Sequence, residues 1–364
     1  MNIKNHHIIR KHLSILLLIA VLSSVGINTH ADTNNISDPH HKTLHKHDNS
    51  LFFTEPFIKL LGEYYSNSSD FKKESIGAEF GLAVNGGIHI TTGYSFTDFS
   101  QDGFEDVTRN RVYLEGEKEV SEKVGIVARV SENLYDNENN NFNGSLYLRY
   151  RPQTNLYTEI SFRHFDIIDY VLPFNNAIYS YVVTIGSIDR NIQSNDYKAY
   201  MMYFPDSRLS FAGEVTYGSY SDDNEKRSLM LEAGYKFNDS PYLRTAYNYF
   251  YLDIKNPAPI TQGGNPNESA YWDPIKFDTH TLRLEFREDY LNSLTVGAEG
   301  ALSYSFDSDG FSNTVILFVS YRFREHTSLR CDARWFNQDK GVDRIGKTGR
   351  FWAENYSIML QNRF

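Results

Sequence analysis

The stretch ENYSIMLQNRF, residues 354–364, closes the chain. In it Tyr356, Ile358, Leu360 and Phe364 fall on one side of a period-two alternation, with Asn362 the single break. Ser357, Met359, Gln361 and Arg363 fall on the other side. The last residues of soluble domains usually fray and are polar. A closing strand with an apolar face therefore needs a partner strand and an apolar medium, and the rest of the sequence has to say which medium.

The chain has 364 residues, and aromatic residues make up 15% of it. Its mean hydropathy of -0.49 excludes a bundle of transmembrane helices. The long apolar run is "LSILLLIAVLSSVGI", residues 13–27, preceded by Lys4, Arg10 and Lys11 and followed by "THA" before Asp32. A basic region, an apolar core and a small-residue site in that order predict an export signal cleaved after Ala31. The rival reading, a retained anchor, needs a longer apolar core. Removing three cations with residues 1–31 takes the formal charge from -10 to -13. So acidic a chain is not expected to bind nucleic acid. A lone cysteine, Cys331, forms no internal disulfide. An exported chain without disulfides relies on hydrogen bonding and burial, which suits a barrel better than a small stapled fold.

From about residue 51 onward, segments of roughly ten residues alternate apolar and polar between turn signals. "SIGAEFGLAV" puts Ile76, Ala78, Phe80, Leu82 and Val84 on one face, and "NTVILFVSYRF" does the same with Val315, Leu317, Val319, Tyr321 and Phe323. Alternation also occurs in soluble sandwiches, but the connections decide. Short ones ("NGG", "VSEK", "RPQT", "FPDSR", "NDSP", "REHT") alternate with long polar ones ("SQDGFEDVT", "DNENNNF", "SYSDDNEK", residues 255–276, "QDKGVDRIGKTGR"). Short turns on one rim and long loops on the other are a habit of barrels that span a membrane. The expected fold is all-β, a transmembrane antiparallel up-and-down β-barrel of about 16–18 strands. The count turns on "IDYVLPF", residues 168–174, which Pro173 makes a poor strand. Accepting it gives about 18 strands and rejecting it about 16. The expected organisation is a signal peptide over 1–31, a His-rich periplasmic segment over 32–52 and the barrel over 53–364.

Export signal, alternation, rim asymmetry and a last strand ending in Phe364 together resemble a Gram-negative outer-membrane, porin-like β-barrel. "YWDP", residues 271–274, is similar to a stretch ahead of a late strand in the barrels of exopolysaccharide-export proteins. That family usually carries a large periplasmic helical-repeat region before its barrel, and about twenty residues stand there in this chain. The resemblance implies outer-membrane lipid, lipopolysaccharide and the barrel-assembly machinery as partners. It also implies that Tyr356, Ile358, Leu360 and Phe364 form the assembly signal, and it raises a polysaccharide or oligosaccharide as a substrate.

With the apolar face toward lipid, the other face lines the lumen. Parity places Arg111, Arg129, Arg149, Arg151, Arg163, Arg244, Arg283, Arg287, Arg322, Arg330 and Arg334 there. Acids on the same face include Glu79, Glu115, Glu159, Glu214, Glu232, Glu285, Glu299 and Asp332. Two clusters stand out, "RLEFR" (Arg283, Glu285, Arg287) and "RCDAR" (Arg330, Asp332, Arg334). One reading is a pore lining that favours anionic solutes; the other is a structural network in which Arg and Glu neutralise each other. Tyr271 and Trp272 are candidate sugar contacts in a loop. Tyr247, Tyr249 and Tyr251 read as an interfacial girdle. His40, His41, His45 and His47 read as a disordered tail rather than a metal site, and no metal or cofactor is expected. His164 lies near Ser161 and Asp166 along one strand, but no serine-hydrolase motif accompanies it, so no enzyme activity is expected. The functional expectation is an outer-membrane channel for small or oligomeric hydrophilic solutes. The alternatives are a polysaccharide-export barrel and a plugged structural or adhesive barrel.

The rim asymmetry predicts long loops outside the cell. An epitope tag placed in "QGGNPNE", residues 262–268, should be reachable on intact cells, and detection only after permeabilisation would reverse the topology.

Overall fold

The computed structural model describes residues 55–84, 87–171, 184–255, 276–290, 293–306, 310–342 and 348–364. Sixteen strands run through them: β1 (Phe57–Asn67), β2 (Lys72–Val84), β3 (Ile88–Ser100), β4 (Val107–Ser121), β5 (Val124–Tyr135), β6 (Asn141–Gln153), β7 (Leu156–Asp166), β8 (Gln193–Tyr203), β9 (Leu209–Tyr220), β10 (Glu225–Asp239), β11 (Tyr242–Ile254), β12 (Lys276–Tyr290), β13 (Leu294–Ser305), β14 (Gly310–Arg324), β15 (Thr327–Val342) and β16 (Thr348–Arg363). Each pairs antiparallel with its neighbours in sequence, and β1 pairs with β16 to close the barrel.

The alternation read from the sequence becomes two faces. Leu282 is 60% exposed and Leu284 53%, while Arg283 between them is 7% exposed. The same contrast recurs on β5, where Ile126, Val130 and Leu134 are exposed and Val127, Ser131 and Asn133 are buried. So extensive an exposed apolar surface is a liability in water and is the natural outer face of a barrel in lipid. Aromatic rings band this face at two heights. Toward one rim lie Phe162 against Tyr197, and Tyr304 between Phe306 and Phe311. Toward the other lie Tyr235 against Phe237 and Tyr321 against Phe323. Cys331 is exposed on this outer face.

The rim that carries the start of β1 and the end of β16 is called here the terminal rim, and the opposite one the loop rim. On the terminal rim the connections are brief, such as 122–123, 154–155 and 240–241. On the loop rim they run to residues 167–192 and 255–275, although β1 and β2 meet there in a short turn over 68–71. Bulges sit at terminal-rim strand ends in β4, β10 and β14, where irregularity least disturbs the ladder.

The structure decides the count that "IDYVLPF" left open: Ile167–Val171 is a 3-10 turn, residues 172–174 lie outside the described residues, and Gly186–Asp189 is a single helical turn. β7 and β8 pair directly, from Leu156 beside Tyr203 to Asp166 beside Gln193. One connection over 167–192 therefore joins them, and the rims alternate correctly with sixteen strands. The apolar residues that mimicked a strand serve a different burial, described below.

Closure is made by the two ends of the described chain. Eleven residue pairs run from Phe57 beside Arg363 to Asn67 beside Ala353. The Phe364 backbone N–H donates to the Pro56 carbonyl at 3.0 Å. Tyr356, Ile358 and Phe364 stand exposed on the outer face. Deletion of Phe364 removes one closing hydrogen bond and the last outward aromatic ring. Heat-modifiable, membrane-inserted barrel should fall well below wild-type levels on a gel-shift assay; unchanged levels would refute an assembly role for this residue.

Candidate functional site

The interior differs in character from terminal rim to loop rim. At mid-height it is lined by ion pairs that join neighbouring strands. Lys59 meets Glu79 at 3.3 Å, Arg129 meets Glu115 at 3.9 Å, Arg149 meets Glu159 at 3.2 Å and Lys198 meets Glu214 at 3.3 Å. Several of these side chains reach solvent from the inner face: Arg129 is 38% exposed, and Lys198 and Glu214 are 29% and 28% exposed. Charges with that much exposure stand beside space that solvent can enter at this height.

Across β9–β13 the pairing is tighter. Arg244 donates to Glu232 and to Glu285, both at 2.6 Å, and to the Ser210 hydroxyl at 3.0 Å. Arg283 donates to Glu232 at 2.6 Å and lies 3.0 Å from Glu285 and 3.9 Å from Glu299. Glu232 thus bridges two guanidiniums. Gly234 makes room for this arrangement, since a Cβ there would stand 2.2 Å from Arg244 Nη2. Breaking one partner of so buried a set leaves an uncompensated charge, at a cost on the order of 3–5 kcal/mol.

The interior beneath the loop rim is apolar. Tyr65, Phe99, Val107, Leu252, Ile254, Phe336 and Phe351 form one cluster there, each 4% exposed or less. Ile167, Ile168, Ile185, Ile188 and Ile192 from the β7–β8 connection complete it. The described parts of the connection, 167–171 and 184–192, therefore fold inward and pack on the inner wall. Polar contacts pin it: Arg109 donates to Asp169 at 2.8 Å, Arg111 also donates to Asp169, and Asn143 donates to it at 3.3 Å. The Ile185 N–H donates to the Gln101 side chain at 3.0 Å. Asn133 and Tyr135 donate to Asp166 at 2.6 and 2.8 Å. Burial alone would raise the Asp169 carboxyl, but the two guanidiniums outweigh it and hold the group well below the usual carboxylate range.

The residues singled out from sequence are thus distributed. Arg111 anchors the inward connection, with its Nε also donating to Asn133 at 2.6 Å. Arg129 lies 3.7 Å over the Tyr113 ring, and Arg149 belongs to the mid-height pairs. Arg151 is half-buried near the terminal rim. Arg283 and Glu285 sit in the β9–β13 network, and Arg287 lies 5.3 Å over the Tyr242 ring. Arg330 donates to Asp332 at 2.8 Å, and its guanidinium lies 4.7 Å over Phe318. Arg322 and Arg334 are half-buried on the same inner face. The "RLEFR" and "RCDAR" clusters lie on β12 and β15, in separate sectors of the wall. Tyr271 and Trp272 lie outside the described residues.

Sequence reasoning missed Asp169, because it stood in a segment weighed as a strand. It also missed Arg109 and the inward lysines. Parity would have found these: Lys59 alternates with Ile58 and Leu60, and Lys198 with Tyr197 and Ala199.

No family model matches the chain, and no curated protein matches it by sequence. Solved structures do match in fold. A bacterial polysaccharide outer membrane secretin superposes with a TM-score of 0.63 at 12% identity, over 85% of this chain and 99% of that one. The fold is that of outer-membrane β-barrels. CdiB from Acinetobacter baumannii gives a TM-score of 0.50 at 11% identity, over 85% of this chain and 60% of that one. OprD of Pseudomonas aeruginosa gives 0.42 at 10% identity, over 85% and 94%.

Asp169→Ala tests the anchor of the inward connection in this barrel. It leaves Arg109, which is 3% exposed, without its carboxylate. The expected loss is on the order of 3–5 kcal/mol locally, read as earlier protease cleavage between β7 and β8. The folded carboxyl titrates below its unfolded value, so its contribution is complete above about pH 3.9 and is lost only as pH falls through the depressed value. The difference in cleavage between Asp169→Ala and wild type should therefore be the same at pH 7 and pH 4.5, and its disappearance at pH 4.5 would refute the assignment.

Proposed function

We propose that the protein is an outer-membrane channel for hydrophilic solutes, narrowed at its loop-rim mouth by the β7–β8 connection. The solvent-accessible belt of ion pairs at mid-height carries this reading. A barrel serving only as a scaffold has no need of open space beside Arg129, Lys198 and Glu214, whereas a solute path does. A closed barrel of this strand number is also wide enough to hold water. In the cell the chain is exported by a cleaved signal over residues 1–31. It is then inserted by the barrel-assembly machinery through its closing strand, and its outer face meets outer-membrane lipid and lipopolysaccharide.

A second reading is passage of an oligosaccharide or polysaccharide. Inward-facing aromatic rings favour it. Tyr157 and Tyr200 lie 6.2 Å apart in an edge-on pair, and Tyr157 donates to Glu159 at 2.9 Å. Ring faces beside carboxylates suit the C–H and hydroxyl groups of a sugar. The polysaccharide secretin that shares the fold supports the same reading.

Purified protein in a planar bilayer tests the proposal. Wild type should show discrete current steps, and Asp169→Ala should enlarge them by relaxing the mouth. Neutral oligosaccharide should reduce the current if the second reading holds. Silence from both proteins, after insertion has been verified by heat-modifiability, would refute a channel.

A further inference from the structure

Two polar side chains face outward from β5 and β7, in a part of the wall that is otherwise apolar. Glu132 of β5 is exposed, and its cross-strand neighbours are Val112 and Phe142. Both of these are exposed, as are Val130 and Leu134 on either side of it along β5. The carboxylate makes no hydrogen bond or ion pair with any described residue. Glu354, also outward, differs, because the Ser66 and Tyr356 hydroxyls both donate to it at 3.0 Å. Toward the loop rim the outer face turns polar on β2, β3, β10 and β11, with Lys72, Asp98, Glu225 and Asp253. On β5 and β6 it does not: Leu134 and Phe142 carry the apolar surface to the last outward positions of their strands. A carboxylate ringed by apolar side chains is stabilised when a donor is brought to it.

A donor of matching height lies on the same wall. His164 of β7 faces outward, away from Ser161, which is buried on the inner side. Among the described residues His164 makes one hydrogen bond, between its Nδ1 and Asn195 Oδ1 at 2.9 Å, and its Nε2 is left for another. Glu132 and His164 are each the ninth residue of their strands counted from the terminal rim, which sets them level on either side of β6. Two strand spacings, about 10 Å, keep them from meeting within one barrel. Between them β6 presents Phe142 beside Glu132 and Gly144 beside His164. A Cβ at Gly144 would meet a single atom, 3.9 Å away, so nothing in this chain requires a glycine there. The bare backbone leaves space on the outer face.

We propose that β5–β7 is the contact face for a second copy of this chain, related by a twofold axis along the membrane normal and passing over β6. Such an axis keeps both barrels in the same orientation and lays β5 of each against β7 of the other. Glu132 then meets the partner's His164, and His164 meets the partner's Glu132, at one height. The gap at Gly144 lets the two walls approach, and the Leu134 and Phe142 side chains are covered. As an imidazolium, His164 donates from Nδ1 to Asn195 and from Nε2 to the carboxylate of the facing copy, a charge-assisted bond in apolar surroundings. The inference goes beyond the channel reading and does not depend on conductance.

The full chain in detergent, with assembly checked by heat-modifiability, is tested by sedimentation. Wild type should be a dimer. Glu132→His alone sets histidine against histidine, and His164→Glu alone sets carboxylate against carboxylate. Each should weaken self-association at least roughly tenfold, and the two together should restore it. In membranes, a tagged chain with Glu132→Cys is co-expressed with an untagged chain carrying His164→Cys, both in a Cys331→Ser background, and treated with a short bis-maleimide. The mixed cross-linked dimer should form. Gly300→Cys, on the outer face of β13, should give none in place of His164→Cys. A mixed product in membranes supports the interface even where detergent yields monomers, and it decides alone if the swapped chain does not assemble. No mixed product, equal product with Gly300→Cys, or an assembled swap that stays as weak as the single variants would overturn the proposal. A monomeric wild type whose mass includes an amine-bearing lipid, lost in Glu132→Gln, would overturn it too and assign the carboxylate to a lipid headgroup.

Discussion

The structure depends on one constraint: no backbone N–H or C=O may face hydrocarbon unpaired. Each such group would cost several kcal/mol, so a sheet in lipid has to close. Here closure joins β1 to β16, the first and last described strands, and it forces every strand between them into the same alternation of faces. Once the outer face is committed to Leu, Val, Ile and aromatic side chains, most charged residues in strand centres are directed inward, Glu132 and Glu354 being outward exceptions. Arginine on the lipid side near mid-height would cost roughly 2–4 kcal/mol. Interior chemistry is therefore a by-product of exterior solvation. Arg283 lies inside because Leu282 and Leu284 lie outside.

This explains what could be read from the sequence. Period two fixes which side a residue faces, so β2, β5, β12, β14 and the closing strand were legible, as was the rim asymmetry. Period two carries no information about which inward groups meet, since partners come from strands far apart in sequence. Asn355 meets Glu63 across the closure. The stretch after β7 left the strand count open for a physical reason. Ile167, Ile168, Ile185 and Ile188 are apolar because they are buried within the barrel, and an apolar run buried there looks in sequence like one that faces lipid. Asp169 was the discriminating residue. A carboxylate amid isoleucines suits neither a lipid-facing strand nor an exposed loop, and its partners Arg109 and Arg111 stand on β4, about sixty residues earlier.

The interior solves two different packing problems. At mid-height, pairs such as Lys198 with Glu214 remain partly exposed. In the β9–β13 sector water is largely displaced, so geometry has to be close. There Glu232 serves two arginines, and the absence of a side chain at Gly234 lets Arg244 lie across the wall. Such a sector tolerates little change in charge.

The apolar cluster beneath the loop rim also bears on how the molecule is made. Its members come from the early strands, from the β7–β8 connection, from β9–β12 and from β15 and β16. The isoleucines of the connection are placed in the chain well before the residues that complete their surroundings, Phe336 and Phe351. Until the last hairpin arrives, the vessel has a stopper but an unfinished neck. Closing the seam and completing the packing around these isoleucines thus draw on the same last hairpin, and a barrel closed without the connection would leave apolar side chains around an unfilled mouth.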